Sequence, residues 1–163
     1  MTPLQSNWVE LLDRRPWTYF VTLTFDRQRY VHPEAIGKKV TLWGRRCAED
    51  LFGRKRASEV PPFAIMYGLE KHKDGRPHLH PLVYHPYLSS EDKDTRLRLM
   101  SLWDNGSFAH PKSLREGFAR VLPCKIGAKE YVSKSYVSKD CERGEIYLTD
   151  SVMPYLLPRR ILQ

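Results

Sequence analysis

The sequence predicts an α+β domain in which about five antiparallel strands form a central sheet with helices packed on it. Three observations carry that expectation. Runs dense in β-branched and aromatic residues alternate with runs whose apolar positions recur at helical spacing. Asp74-Gly75, a strong tight-turn signal, separates two of the strand-like runs and forces them to pair antiparallel. The length of 163 residues suits one domain, 1–163, with a single core and no linker.

Taken in order, residues 17–25 (WTYFVTLTF) alternate clearly and read as the first strand. Residues 33–52 carry Ala35, Ile36, Val40, Leu42, Trp43, Cys47, Ala48, Leu51 and Phe52 at roughly helical spacing, which reads as an amphipathic helix, and Gly53 with the basic run after it closes that helix. Pro61-Pro62 punctuate the chain before strands at 63–70 and 78–84, joined by the Asp-Gly turn. Ser89-Ser90-Glu91-Asp92 resembles a helix start, with acids complementing the dipole, and the helix should run to about Trp103. Asp104-Asn105-Gly106 stop it, and the segment 88–116 reads as a possible helical insertion. A short strand is expected at 117–122, a helix from about Gly127 to Lys139, and a last strand at 145–148 before a proline-punctuated tail.

The stretch 70–80, EKHKDGRPHLH, holds the most chemistry. Side chains i and i+2 on a strand share a face, so His78 and His80 should project together while Leu79 turns into the core. The hairpin returns Glu70 beside them. Two imidazoles and one carboxylate on one sheet face are suited to a divalent metal with open coordination positions, whereas a structural zinc site more often closes four ligands. An H-x-H pair also occurs on solvated strand faces, so the carboxylate across the turn is what raises the pair above chance.

Charge points to a polyanion. Lysine and arginine number 27 against 19 acids, a net charge of +8 with a pI of about 9.5. Basic residues cluster at Arg45-Arg46, Arg54-Lys55-Arg56 and Arg159-Arg160, and the aromatic fraction of 12 % could serve base stacking, although most such rings belong in the core. Cys47, Cys124 and Cys141 are odd in number and lack a C-x-x-C pair. They read as reduced thiols rather than a disulfide frame or zinc knuckle. No apolar run approaches bilayer length and no signal-peptide core opens the chain, so the expectation is a soluble, intracellular protein with no membrane partner.

The doublet YVSKSYVSK pairs Tyr131 with Lys134 and Tyr136 with Lys139. At i and i+3 on a helix, each phenol has an ammonium on its own face. A phenol is a poor nucleophile until its proton leaves or its developing charge is stabilised, and a lysine assists either. The same spacing arises by chance in amphipathic helices. The two tyrosines lie five apart, roughly 140° around a helix, so both should not point at one metal.

Taken together, FVTLTF, then EKHKDGRPHLHPLV, then SYVSKD ahead of a strand resemble, in order and spacing, the HUH endonuclease superfamily. The likeness is to the rolling-circle replication initiators of geminiviruses and related small circular single-stranded DNA replicons, and it spans about residues 20–140. It implies an RRM-like HUH nuclease fold, Mg²⁺ or Mn²⁺ held by Glu70, His78 and His80, and single-stranded DNA at an origin stem-loop as substrate. It implies a tyrosine nucleophile, 5′-phosphotyrosine linkage and rejoining by a 3′-OH. The family's third motif fits Tyr136 and Lys139 best, with Tyr131 and Lys134 as the alternative, since family members with two tyrosines space them four apart and not five. Viral initiators of this kind usually continue into a helicase. Its lack here implies either a nuclease that relies on host helicase and polymerase or an excised domain.

Three other readings compete. A single-tyrosine HUH transposase shares the chemistry and is also short. A metal phosphodiesterase would keep the three ligands and dispense with the tyrosine. A non-catalytic RRM-like reader would use a basic sheet, but leaves Glu70, His78, His80 and Tyr136 together unexplained.

Overall fold

The computed structural model describes residues 3–14, 16–25, 31–71, 75–104, 117–125, 127–129, 132, 146–149 and 152. Helix α1 (Pro3–Asp13) leads into β1 (Tyr19–Thr24), followed by the long α2 (Pro33–Phe52) and a single helical turn, α3 (Arg54–Ala57). Strands β2 (Ala64–Lys71), β3 (Pro77–Leu79) and β4 (Leu82–Tyr84) come next, then α4 (Lys93–Asp104), β5 (Ala119–Pro123) and β6 (Ile146–Leu148). All described strand pairings are antiparallel, so the fold is α+β as the sequence implied.

The expected strand at 78–84 is divided in two. Its pairing with β1 keeps one register on both sides of the gap, from Thr24 opposite His78 and Leu23 opposite Leu79 to Phe20 opposite Leu82. The pairing with β2 behaves alike, from Glu70 opposite His78 to Met66 opposite Leu82. Only His80-Pro81 is left out of the ladder, because a proline has no N–H to donate. Its carbonyl still accepts from Val21 N at 2.9 Å. Six strands therefore fill five rows across the sheet: β5, β1, the collinear β3 and β4, β2 and β6.

Period-2 alternation gives the sheet two faces. Tyr19, Val21 and Leu23 of β1 point to one, where they join Ile65, Leu79 and Val83 under α2 and α4. Helix α2 starts and ends where the sequence puts it: the His32 side chain accepts from Glu34 N, Pro33 takes the first turn, and Gly53 at φ +79° ends the helix. Helix α4 starts later than Ser89-Ser90 suggested. Asp92 is its cap, accepting from the backbone N–H of Asp94 and Thr95 and from the Thr95 hydroxyl, which hold its carboxyl below the usual aspartate value. Leu99 and Trp103 of α4 are fully buried, and Trp103 Nε1 donates to Thr24 O at 2.8 Å. The rest of the segment read as an insertion, 105–116, lies outside the described residues.

The second face has a core of its own. Phe20, Ala64, Met66 and Leu82 pack there against Leu12 and Trp17, with Trp8 and Leu11 of α1 alongside. Sequence reading passed over α1, although Pro3 and the spacing of Trp8, Leu11 and Leu12 fit an amphipathic helix. Buried Val132 and Val152 complete this cluster. Ala128, Lys129 and Val132 are helical, as expected for the segment that begins near Gly127, and Lys129 Nζ donates to Asp13 at the end of α1. The remainder of that segment, 130–131 and 133–139, lies outside the described residues. Among the described residues no helix is long and apolar enough to cross a membrane.

Candidate metal centre

The β2–β3 hairpin assembles the group read from the sequence. Asp74 lies outside the described residues, but Gly75 has φ +82°, the left-handed conformation that a tight Asp-Gly turn needs. The resulting register sets Glu70 directly opposite His78. Directly opposed residues on antiparallel strands share a face, so both side chains leave the sheet on the side away from α2 and α4. Leu79 goes the other way and is fully buried, as expected. His80 then returns to the side of His78.

Glu70 Oε2 lies 2.9 Å from His78 Nε2 and 3.7 Å from His80 Nε2. The two imidazoles meet edge to face with centroids 5.0 Å apart. One ligand atom from each of the three residues lies within 4.8 Å of the other two, and this is the one such group of His, Cys, Asp or Glu among the described residues. Two atoms each about 2.1 Å from one ion, at tetrahedral or octahedral angles, sit about 3.0–3.4 Å apart. The two measured separations bracket that range. The donor set, neutral nitrogen twice and carboxylate once, suits a divalent ion and leaves room in its coordination sphere for a substrate oxygen. The side chains of Glu70, His78 and His80 are 22, 15 and 10 % exposed, reachable yet largely screened from solvent.

Residues that sequence reading did not single out hold His80 in place. Thr22 Oγ1 lies 3.2 Å from His80 Nδ1, and the Phe20 ring stacks parallel to the imidazole at 5.7 Å with an interplanar angle of 2°. With Nδ1 engaged by the hydroxyl, Nε2 is the nitrogen turned toward Glu70. The signal for Thr22 was present in the alternation of FVTLTF, which puts Phe20, Thr22 and Thr24 on one face, but not the partner across the sheet.

Tyr131, Lys134, Tyr136 and Lys139 lie outside the described residues. Their neighbour Val132 is described: it is helical, fully buried, and packed against Met66 and Leu82 on the same sheet face as the triad. Cys47 is buried and Cys124 partly so, and burial raises both thiols. Neither belongs to the triad. Compared with protein-family models, with curated proteins and with solved structures, the chain matches none.

Proposed function

We propose that this chain is a metal-dependent single-stranded DNA endonuclease and strand transferase, with Glu70, His78 and His80 as ligands of Mg²⁺ or Mn²⁺ and Tyr136 as nucleophile. The observation that carries the reading is the hairpin register that brings Glu70 Oε2 to Nε2 of both histidines. Support comes from Val132, a residue of the tyrosine–lysine doublet, buried on that same face, and from the net charge of +8.

A bound divalent ion supplies Lewis acidity to a phosphate oxygen. The chain's own groups do the rest. The Tyr136 hydroxyl attacks phosphorus and loses its proton as the new P–O bond forms; the bond to the 3′ oxygen breaks, and that oxygen takes up a proton to leave as a 3′-OH. Lys139, on the face of Tyr136 in a helical reading, favours the phenolate and the charge on phosphate. The phosphotyrosine link conserves the energy of the broken bond, so an incoming 3′-OH reverses the step without ATP. Initiation of rolling-circle replication with host helicase and polymerase is the role this chemistry fits. A transposase would share every step, and a stem-loop origin rather than a transposon end beside the coding region separates the two.

The test is an SDS-resistant adduct. Single-stranded stem-loop DNA with Mn²⁺ should yield a covalent protein–DNA band in the wild type and in Tyr131→Phe, and none in Tyr136→Phe. His78→Ala and His80→Ala should lose cleavage while keeping most of the phosphate-driven binding. An adduct that survives Tyr136→Phe and disappears in Tyr131→Phe moves the nucleophile. Absence of any adduct from the wild type on stem-loop or transposon-end substrates overturns the covalent mechanism.

A further inference from the structure

We infer that the outward face of β5 and of the residue just before it, centred on Phe118 and Arg120, is a docking track that leads single-stranded DNA to the metal centre. The inference rests on the function proposed above and adds a place for the substrate.

Sheet register puts the track beside the triad. Thr24 is opposite His78, and its hydroxyl is bonded on its other side to the Phe118 backbone, donating to Phe118 O at 3.2 Å and accepting from Phe118 N at 3.1 Å. Thr22 is opposite Arg120 and in contact with His80. Two parallel rows thus cross the sheet, Phe118–Thr24–His78–Glu70 and Arg120–Thr22–His80, all on one face. Adjacent strands are about 4.8 Å apart, so Phe118 and Arg120 stand about 10 Å from the histidines, close enough for neighbouring nucleotides of one strand.

The chemistry of the track matches that ligand. Phe118 is 54 % exposed, Leu122 is 37 % exposed, and Arg120 between them is exposed as well. A single exposed apolar residue needs no explanation. Here an aromatic ring, a guanidinium and a leucine alternate along one face of an edge strand and continue a line of candidate ligands. Rings stack on bases whatever their identity, and a guanidinium pairs with phosphate. The Phe118 backbone is also fixed: both of its polar groups are held by one hydroxyl, and Gly117 lies so close to Thr24 that a Cβ there would stand 2.1 Å from Thr24 O. A ring exposed on a rigid backbone gives up little freedom on binding.

Fluorescence anisotropy with labelled oligo-dT in EDTA tests the track without metal or cleavage. Phe118→Ala should weaken binding about tenfold or more, and Phe118→Trp should restore it. Arg120→Ala should weaken binding and reduce the slope of log affinity against log salt by about 0.7. Lys93→Ala, exposed at the start of α4 on the helix-covered side, should leave binding within about twofold, as a surface charge away from the contact does. Ultraviolet crosslinking of a halogenated oligo-dT should map to Phe118 by mass spectrometry. Unchanged affinity in folded Phe118→Ala and Arg120→Ala overturns the track, as does an equal loss in Lys93→Ala, which would mean diffuse charge. Tighter binding to oligo-rU than to oligo-dT overturns the choice of DNA. Adduct formation by the wild type with no effect of the β5 variants sinks only the track; weakened binding in those variants with no adduct anywhere sinks only the nuclease reading.

Discussion

A neutral histidine donates through one ring nitrogen and accepts through the other, and its neighbours decide which. For Nε2 of His80 to offer a lone pair to a metal, the proton must sit on Nδ1, where Thr22 Oγ1 at 3.2 Å can accept it. Such outer partners of ligating histidines are commonly worth 10–100-fold in metal affinity, roughly. Thr22→Val keeps the shape and removes the acceptor. It should lower Mn²⁺ affinity by about tenfold or more in calorimetric titration, while Thr22→Ser should stay near wild type. Equal affinities for the valine variant and the wild type would remove Thr22 from the site. At this scale the triad was legible, because both the i, i+2 spacing of His78 and His80 and the turn signal that returns Glu70 are local. Thr22 and Phe20 were not, since they meet His80 from a strand 58 residues earlier in the case of Thr22, and register between distant strands is set by the whole sheet.

Elements were read well where a local rule decides them. Pro33 and Gly53 bound α2 at the residues expected, and the strands expected at 17–25, 63–70, 117–122 and 145–148 match β1, β2, β5 and β6 to within two residues. Misses have physical causes. Pro81 interrupts a strand without shifting its register, which residue pattern alone cannot distinguish from a strand end. Ser89 and Ser90 resemble caps as much as Asp92 does, and the choice falls to Asp92 because its carboxylate engages Thr95 as well as the free N–H groups. The approach of β5 to β1 depends on Gly117, whose missing side chain leaves room for the Thr24 carbonyl. A Cβ there would stand 2.1 Å from Thr24 O and 2.7 Å from Phe25 Cα, both backbone atoms with nowhere to move. Gly117→Ala should cost about 2–3 kcal/mol by urea midpoint. Gly53→Ala meets nothing within 4 Å and bears only the backbone cost of φ +79° with ψ 150°, a region essentially reserved for glycine, about 1–3 kcal/mol. Equal small losses at both positions would show that β5 can draw back from β1.

For the molecule as a whole, His85 ties stability to pH. Its ring packs among Phe52, Phe63 and Tyr87, at 5.0, 4.8 and 5.7 Å. Nε2 donates to Pro61 O at 2.9 Å and Nδ1 accepts from Tyr87 N at 3.2 Å, the pattern of one neutral tautomer. Burial pushes its pKa below the ordinary histidine value of 6.5, partly offset by the Pro61 carbonyl. Above 6.5 the ring is neutral folded or unfolded and stability is unaffected. As pH falls below 6.5 the unfolded chain takes up a proton that the folded chain does not, so stability declines until the folded ring also titrates. Urea midpoints should therefore drop between about pH 7.5 and pH 5.5 in the wild type, and drop less in His85→Phe. Identical pH dependence in both proteins would clear His85 of the effect. The face opposite α2 and α4 is divided along its strands in another respect. At one end Met66, Leu82 and Phe20 are roofed by α1, and change there trades directly against folding. At the other, Thr24, Phe118 and Arg120 lie clear of that roof. Replacing exposed Phe118 or Arg120 costs folding little, whereas change a few residues along the same strands costs it much, so a lineage can revise the docking proposed for the open end while the covered end keeps the sheet intact.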